Sequence, residues 1–213
     1  MSGGPPPVKP ADRRSGIPAA VASLELGGVA VVPTDTVYGL AARVDRPAAL
    51  RAVFEVKGRP DGLALPVLVG TWRQVPAVAS EWPRSASVLA ARFWPGPLTV
   101  VVPARPEVGP LLGGDGATVG LRRPANRFVR SLCARTGPLA VTSANRHGQA
   151  PCTTVDEVLA ELGGPGAPRA LGVVLDGGTC DGTPSTVVDC TGSEISCIRE
   201  GAIPWGWVQA ALR

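Results

Sequence analysis

The segment Val31–Pro60, VVPTDTVYGLAARVDRPAALRAVFEVKGRP, decides how the chain is read. Val29–Val32 is a β-branched run closed by Pro33, the pattern of a buried strand. Thr34, Asp35 and Thr36 then place two hydroxyls and a carboxylate at the strand end, where they can bond nearby backbone or a ligand. A short apolar segment follows. Pro47 suits the first turn of a helix, and Asp45 is placed to cap it. Leu50, Val53, Phe54 and Val56 line that helix, which delivers Lys57, Gly58, Arg59 and Pro60 as a loop. Two cations one residue apart on a Gly/Pro loop suit an anion with several oxygens, such as a triphosphate. They equally suit a solvated helix end, where basic residues favour the dipole. Composition tilts the choice: of 21 lysines and arginines, only Lys9 and Lys57 are lysines. A compact, freely rotating ammonium does a different job from a planar guanidinium.

With 213 residues and 45% hydrophobic side chains, the chain has material for one sizeable domain. Its 27 glycines and 23 prolines are spread between apolar runs, which indicates many short turns rather than disorder. Net charge is +4, and about half of it comes from Lys9, Arg13 and Arg14 against Asp12 in the first fourteen residues. The rest is nearly balanced, so bulk charge does not call for nucleic acid. Five cysteines without a C-x-x-C pair argue against a disulfide framework or a zinc site and fit a reducing cytoplasm. The single histidine, His147, leaves no material for a His-based triad. No apolar run reaches membrane-span length and no signal-peptide pattern opens the chain.

Residues 1–14 (MSGGPPPVKPADRR) read as a flexible Gly/Pro-rich tail, and 15–213 as one domain. Helices are expected at Pro18–Leu26, Thr71–Ala79, Ser85–Phe93, Asn126–Arg135, Val155–Leu162 and Pro204–Leu212. Strands are expected at Leu65–Val69, Leu98–Val102, Thr118–Leu121, Leu139–Val141, Leu171–Leu175, Thr186–Asp189 and Ile195–Ile198, with a turn at Gly163–Ala167. Interleaved strands and helices with hairpin-length gaps late in the chain predict an α/β domain: a twisted, open mixed sheet with helices packed against it.

Three strand ends share one character: Thr34-Asp35-Thr36, Thr118…Arg122, and Thr142-Ser143-Ala144-Asn145. In open α/β sheets ligands collect outside strand ends, and Ser143 and Asn145 offer uncharged donors to phosphate or ribose oxygens. Any one of these could be simple strand-end capping; the three together, beside Lys57 and Arg59, outline a site. Gly177–Ser185 (GGTCDGTPS) has P-loop glycine spacing, but Thr183 stands where the lysine belongs. No G-x-G-x-x-G follows a strand and no G-x-S-x-G elbow occurs. The five tryptophans, Trp72, Trp82, Trp94, Trp205 and Trp207, read as packing groups, while Tyr38 could pack or line a pocket.

Taken in order, PTDTVYGLA, KGRP, WPGPLTVVV, TVGLRRP, PLAVTSAN and LDGG…STVVD resemble the YrdC-like threonylcarbamoyl-AMP synthase family, in its single-domain form, from about Val29 to Gly201. The family's K-x-R…S-x-N signature is present as Lys57, Arg59, Ser143 and Asn145. The resemblance implies a nucleotidyltransferase that converts L-threonine, bicarbonate and ATP to threonylcarbamoyl-AMP and pyrophosphate, for modification of adenosine beside the anticodon of certain tRNAs. It also implies a basic concave face, and Mg2+ carried on the ATP phosphates rather than by protein side chains. By the same resemblance Lys57 and Arg59 are catalytic, aligning the triphosphate and neutralising its charge. Thr118, Ser143, Asn145, Pro151 and Arg199 join them in contacting ATP, and Thr36, Arg122 and Ser185 hold threonine. Partners implied beyond the substrates are tRNA and the downstream threonylcarbamoyl-transferase complex.

The sequence departs from the family pattern at Ala64, at Glu200 and across Arg146-His147-Gly148-Gln149. Glu200 would set a negative charge near the phosphates unless it points away. These departures motivate an alternative, a paralogue forming a carbamoyl-adenylate for another acceptor. A further alternative is an RNA-binding module that uses Arg122, Arg123, Arg127 and Arg130 on the same concave face.

Overall fold

The structure, a computed structural model, describes residues 5–58, 60, 62–163 and 170–213. In chain order its strands are β1 (Val8–Pro10), β2 (Val29–Pro33), β3 (Tyr38–Arg43), β4 (Val67–Leu68), β5 (Leu98–Pro103), β6 (Thr118–Arg122), β7 (Leu139–Ser143), β8 (Leu171–Asp176), β9 (Thr186–Asp189) and β10 (Ser196–Arg199). Its helices are α1 (Gly16–Glu25), α2 (Pro47–Lys57), α3 (Arg84–Phe93), α4 (Gly109–Leu112), α5 (Arg127–Thr136), α6 (Val155–Leu162) and α7 (Trp205–Ala210), with a 3-10 turn at Trp72–Ala77. The ten strands form one sheet in the order β1-β8-β2-β3-β7-β4-β6-β5-β9-β10. Pairing is mixed: β1–β8, β2–β8, β4–β6 and β5–β9 are parallel. The other five pairs are antiparallel. This is the open, twisted mixed α/β sheet expected from the sequence.

Successive side chains of a strand face opposite sides of a sheet, and the two hydrophobic clusters divide the strands that way. Val29, Val31, Leu40, Ala42, Val67, Val100 and Leu121 join one cluster, covered by α2, α3, α6 and α7. Their alternates Ala30, Val32, Ala41, Leu68, Leu139 and Val141 join the other, covered by α1 through Ile17, Ala20 and Leu24 and by α5 through Val129, Leu132 and Cys133. That second cover stops short of β5 and β6. There the alternates are Thr118, Gly120 and Arg122 on β6, with Val101 opposite Gly120 and Thr99 one alternate further along β5. The half-covered face positions the site.

Several expectations need correction. Val8–Pro10, assigned to a flexible tail, pairs in parallel with Val174–Asp176 as β1. Ala11 N–H also donates to Asp176 O at 2.6 Å, and the Asp12 carboxylate ties down the N–H groups of Arg14, Ser15 and Gly16. Asp45 does not cap α2, which starts after Arg46 without a side-chain cap. Its carboxylate is claimed by Arg43, Nε to Oδ1 at 2.9 Å and Nη2 to Oδ2 at 2.7 Å. The helix expected over Thr71–Ala79 tightens to a 3-10 turn that contains Pro76. Trp72, Trp82 and Trp94 do pack on one another, with centroids 5.2–6.0 Å apart, whereas Trp207 is 66% exposed. The turn expected at Gly163–Ala167 lies, from residue 164 on, outside the described residues.

Candidate active site

The site is built around the last residue of α2. Gly58, at φ 58°, takes the left-handed conformation that ends the helix. This leaves Lys57 facing β7, with only 3% of it exposed. Its Nζ donates to Ser143 O at 2.8 Å and Asn145 O at 2.8 Å, and reaches Ser143 Oγ and Asn145 Oδ1 at 3.2 Å each. The loop after β7 closes over it, with His147 N–H donating to Lys57 O at 2.7 Å. Asn145 fastens that loop, its Nδ2 donating to Arg146 O at 2.8 Å and Gln149 O at 2.7 Å. The Asn145 amide is therefore spent on holding Lys57 and the loop, a different use from the direct ligand donor predicted for it. Ser143, half-buried, lines the cavity.

A cavity of about 220 Å3 lies over the uncovered sheet face. Its wall brings together Thr36, Arg122, Ser143, Pro151, Ser185 and Arg199, residues from six separate parts of the chain. Arg122 is 6% exposed. Its Nε donates to Gly96 O at 3.1 Å and its Nη1 to Thr36 Oγ1 at 3.1 Å. Nη2 stands 2.7 Å from Asp35 Oδ1. That approach is an ion pair without a hydrogen bond, for neither carboxylate oxygen of Asp35 nor Nη2 has an aligned partner among the described residues. Across the cavity Arg199 donates through Nε and Nη2 to Ser185 O at 3.2 and 2.9 Å. The Arg199 residue as a whole is exposed, yet the enclosure of its guanidinium, and then the charge of Arg122, hold its pKa below the usual arginine range. Two cations facing one small space predispose it to an anion.

Strand polarity explains the convergence. Because β7 runs against β4 and β4 runs with β6, the end of β7 that carries Ser143 lies at the same edge of the sheet as the start of β6. Thr118 therefore stands on the same face as Arg122 but beyond the cavity wall. The cavity lies across strand faces rather than outside strand ends, which corrects the expectation. Arg59 lies outside the described residues.

One contributor, Thr99, is not singled out by the sequence, which leaves Tyr38 between packing and lining a pocket. Thr99, the one polar residue of the run Leu98–Val102, lines the cavity, and its Oγ1 is 2.9 Å from Ser185 Oγ. Tyr38 lines it too, and its hydroxyl donates to Gly178 O at 2.7 Å while accepting from Gly177 N–H at 3.0 Å. That clamp, with Gly182 N–H donating to Thr36 O at 2.7 Å, holds the 177–185 loop so that Pro184 and Ser185 complete the wall. Burial raises the Tyr38 hydroxyl pKa.

Thiol chemistry has no place here. Burial pushes Cys133 up to about 12 and Cys152 and Cys190 up to about 11, so these thiols stay protonated near neutrality. Among the described residues no group of three His, Cys, Asp or Glu side chains is placed to hold a metal ion, and no helix is long and apolar enough to cross a membrane. Glu200 is exposed and absent from the cavity wall. Of the arginines proposed for RNA, Arg122 is buried in the cavity, Arg123 Nε is tied to Gly70 O, and Arg130 Nη1 to Pro124 O and Ala125 O. Arg127 is the exposed one.

A family model described as telomere recombination and covering Sua5, YciO and YrdC proteins matches residues 22–201. The threonylcarbamoyl-AMP synthase of Pyrococcus abyssi is 36% identical over 84% of this chain and 52% of its own length. A Mycobacterium leprae protein provisionally given the same activity is 37% identical over 91% of this chain and 86% of its own length. The crystal structure of P. abyssi Sua5 complexed with L-threonine superposes with a TM-score of 0.87 at 31% identity, over 97% of this chain and 59% of that one. Escherichia coli YciO superposes at 0.80 over 96% of this chain and 98% of its own, at 24% identity, a likeness of fold. The chain thus spans a little over half the length of the P. abyssi proteins and most of the M. leprae one.

Proposed function

The chain belongs to the Sua5/YciO/YrdC family, and from that premise we propose the chemistry of its cavity: it is a threonylcarbamoyl-AMP synthase, joining L-threonine, bicarbonate and ATP into threonylcarbamoyl-AMP with release of pyrophosphate. The observation that carries this reading is the placement of Lys57 Nζ 3.2 Å from Ser143 Oγ, on the wall that also holds Arg122 and Arg199.

The cavity's 220 Å3 has room for a small amino acid. The amino acid therefore occupies the cavity, its carboxylate on Arg122 beside the Thr36 hydroxyl. Ser185 and Thr99 present hydroxyls to the same space. The nucleotide lies over the adjoining edge of the sheet, across Thr118 and Ser143, with its phosphates toward Lys57 and Arg199; the family resemblance adds Arg59 to their charge neutralisation. The threonine amine adds to the carbon of CO2, which bicarbonate supplies with loss of water, and gives up a proton; the carbamate oxygen formed then attacks the α-phosphorus as pyrophosphate leaves. No protein nucleophile takes part, in keeping with the protonated thiols. The protein aligns the reactants and neutralises charge on the phosphates. Mg2+ enters with ATP, and no step is assigned to a protein-held ion. The product's use in tRNA modification, and contact with tRNA and a transferase complex, follow from the same reading.

Omission assays test it. Pyrophosphate should appear only when ATP, threonine and bicarbonate are all present, with threonylcarbamoyl-AMP detected by mass. Equal pyrophosphate without threonine would remove the reading. Product formed equally well from serine or another amine would favour the paralogue.

A further inference from the structure

We propose that Asp35 is a positioning residue: a buried carboxylate behind Arg122 that holds its guanidinium in the orientation needed to receive the amino-acid carboxylate. The proposal rests on the reading of Arg122 as the partner of that carboxylate.

Three observations carry it. First, each nitrogen of the Arg122 guanidinium meets a different group: Nε the Gly96 carbonyl, Nη1 the Thr36 hydroxyl and Nη2 the Asp35 carboxylate at 2.7 Å. Contacts on three nitrogens fix the plane as well as the position of the head group. Second, the Asp35 oxygens are buried, yet Asp35 is not on the cavity wall that Arg122 lines. The carboxylate therefore stands beside the guanidinium, outside the space a substrate would occupy. Third, the pair is sealed off: Nη2 and both Asp35 oxygens have almost no exposed surface, so the counter-charge acts inside the protein rather than in the cavity. A guanidinium sunk in the protein without a counter-charge is expensive. One saturated by a bidentate carboxylate could not bind another. Asp35 meets both conditions by supplying charge at the buried Nη2 while leaving the rest of the head group, which lines the cavity, to the ligand. Its neighbours in sequence reinforce this, since Thr34 Oγ1 is 2.9 Å from Thr36 Oγ1 and accepts from Thr36 N–H at 3.1 Å and Val37 N–H at 3.2 Å. The Thr34–Thr36 turn thereby presents the hydroxyl and the carboxylate to Arg122 from a rigid base.

The test is isothermal calorimetry of L-threonine and of ATP on the full chain, with steady-state kinetics, for the wild type, Asp35→Asn and Asp35→Glu. Asp35→Asn should weaken threonine binding about tenfold or more and raise KM for threonine in parallel. ATP affinity should change less than about twofold, a split that general loosening of the fold would not produce. Asp35→Glu, which keeps the charge on a longer arm, should fall between the two. If Asp35→Asn does not fold, Asp35→Glu decides alone, and unchanged threonine affinity in it overturns the proposal. Unchanged or tighter threonine binding in a folded Asp35→Asn overturns it as well, the latter showing that Asp35 competes with the substrate. A wild-type chain that binds ATP but not threonine would remove the amino-acid reading of Arg122 and this proposal with it. Normal wild-type binding with an indifferent Asp35→Asn removes the positioning role alone.

Discussion

Replacement of Lys57 by alanine should damage fold and catalysis together, by amounts that follow from its contacts. Its ammonium serves two carbonyl oxygens, Ser143 O and Asn145 O, both at 2.8 Å. Ser143 O keeps a second donor, Asn145 N–H at 3.0 Å, so the buried Asn145 O is the one left without a partner, at a cost of about 1–3 kcal/mol. In a chain of this size each kcal/mol lowers Tm by roughly 2–4 °C, which puts the fall on the order of 5 °C. Loss of a fixed positive charge at the reacting phosphates costs on the order of 100- to 1,000-fold in kcat. Differential scanning fluorimetry and pyrophosphate release measure the two effects separately. Lys57→Arg separates the two jobs further. It keeps the charge, but a planar fork cannot meet oxygens spread around a compact ammonium. It should stay at least about tenfold below wild type in kcat, since orientation carries much of the rate. A Lys57→Ala variant with unchanged Tm and nearly wild-type kcat would refute the reasoning.

Other outcomes follow from the same contacts. Arg122→Ala should raise KM for threonine by roughly 100-fold while sparing the KM for ATP, because a buried charge-assisted pair is lost; equal losses for both substrates would contradict the assignment. Tyr38→Phe removes the hydroxyl that clamps Gly177 and Gly178 and should lower stability by about 1 kcal/mol, with faster limited proteolysis within 177–185. The thiol of Cys133 ionises near 9.0 when unfolded and near 12 when folded, so the folded state holds its proton more tightly. Its stabilisation is complete below about pH 9 and is lost as pH rises toward 12, a fall of about 4 kcal/mol over that range. Alkaline unfolding monitored by circular dichroism should start in that window, and Cys133→Ala should blunt it.

The strands and helices that alternate apolar residues or carry clear turn residues were legible in the sequence. What was missed had physical reasons. Tyr38–Arg43 packs on both faces of the sheet and so shows no alternation. Val8–Pro10 is a short exposed edge strand with prolines at its end and just before its start, paired to β8 alone among the described strands. At the site, the Thr34–Thr36, Ser143 and Arg122 segments were legible because small polar residues at strand ends are conspicuous. Their meeting place was not, because it depends on the antiparallel course of β7. Thr99 looked like an ordinary strand threonine, although a lone hydroxyl in an apolar run was a usable signal. The role of Asp35 depends on an arginine 87 positions away in the chain, which no local pattern reveals.

The most direct measurement is a crystal structure of the chain soaked with L-threonine and a non-hydrolysable ATP analogue. The amino-acid carboxylate should lie within about 3.2 Å of the Arg122 guanidinium, with the triphosphate across Ser143 and Thr118 toward Lys57. Threonine bound elsewhere, or a nucleotide on the opposite face of the sheet, would contradict the account.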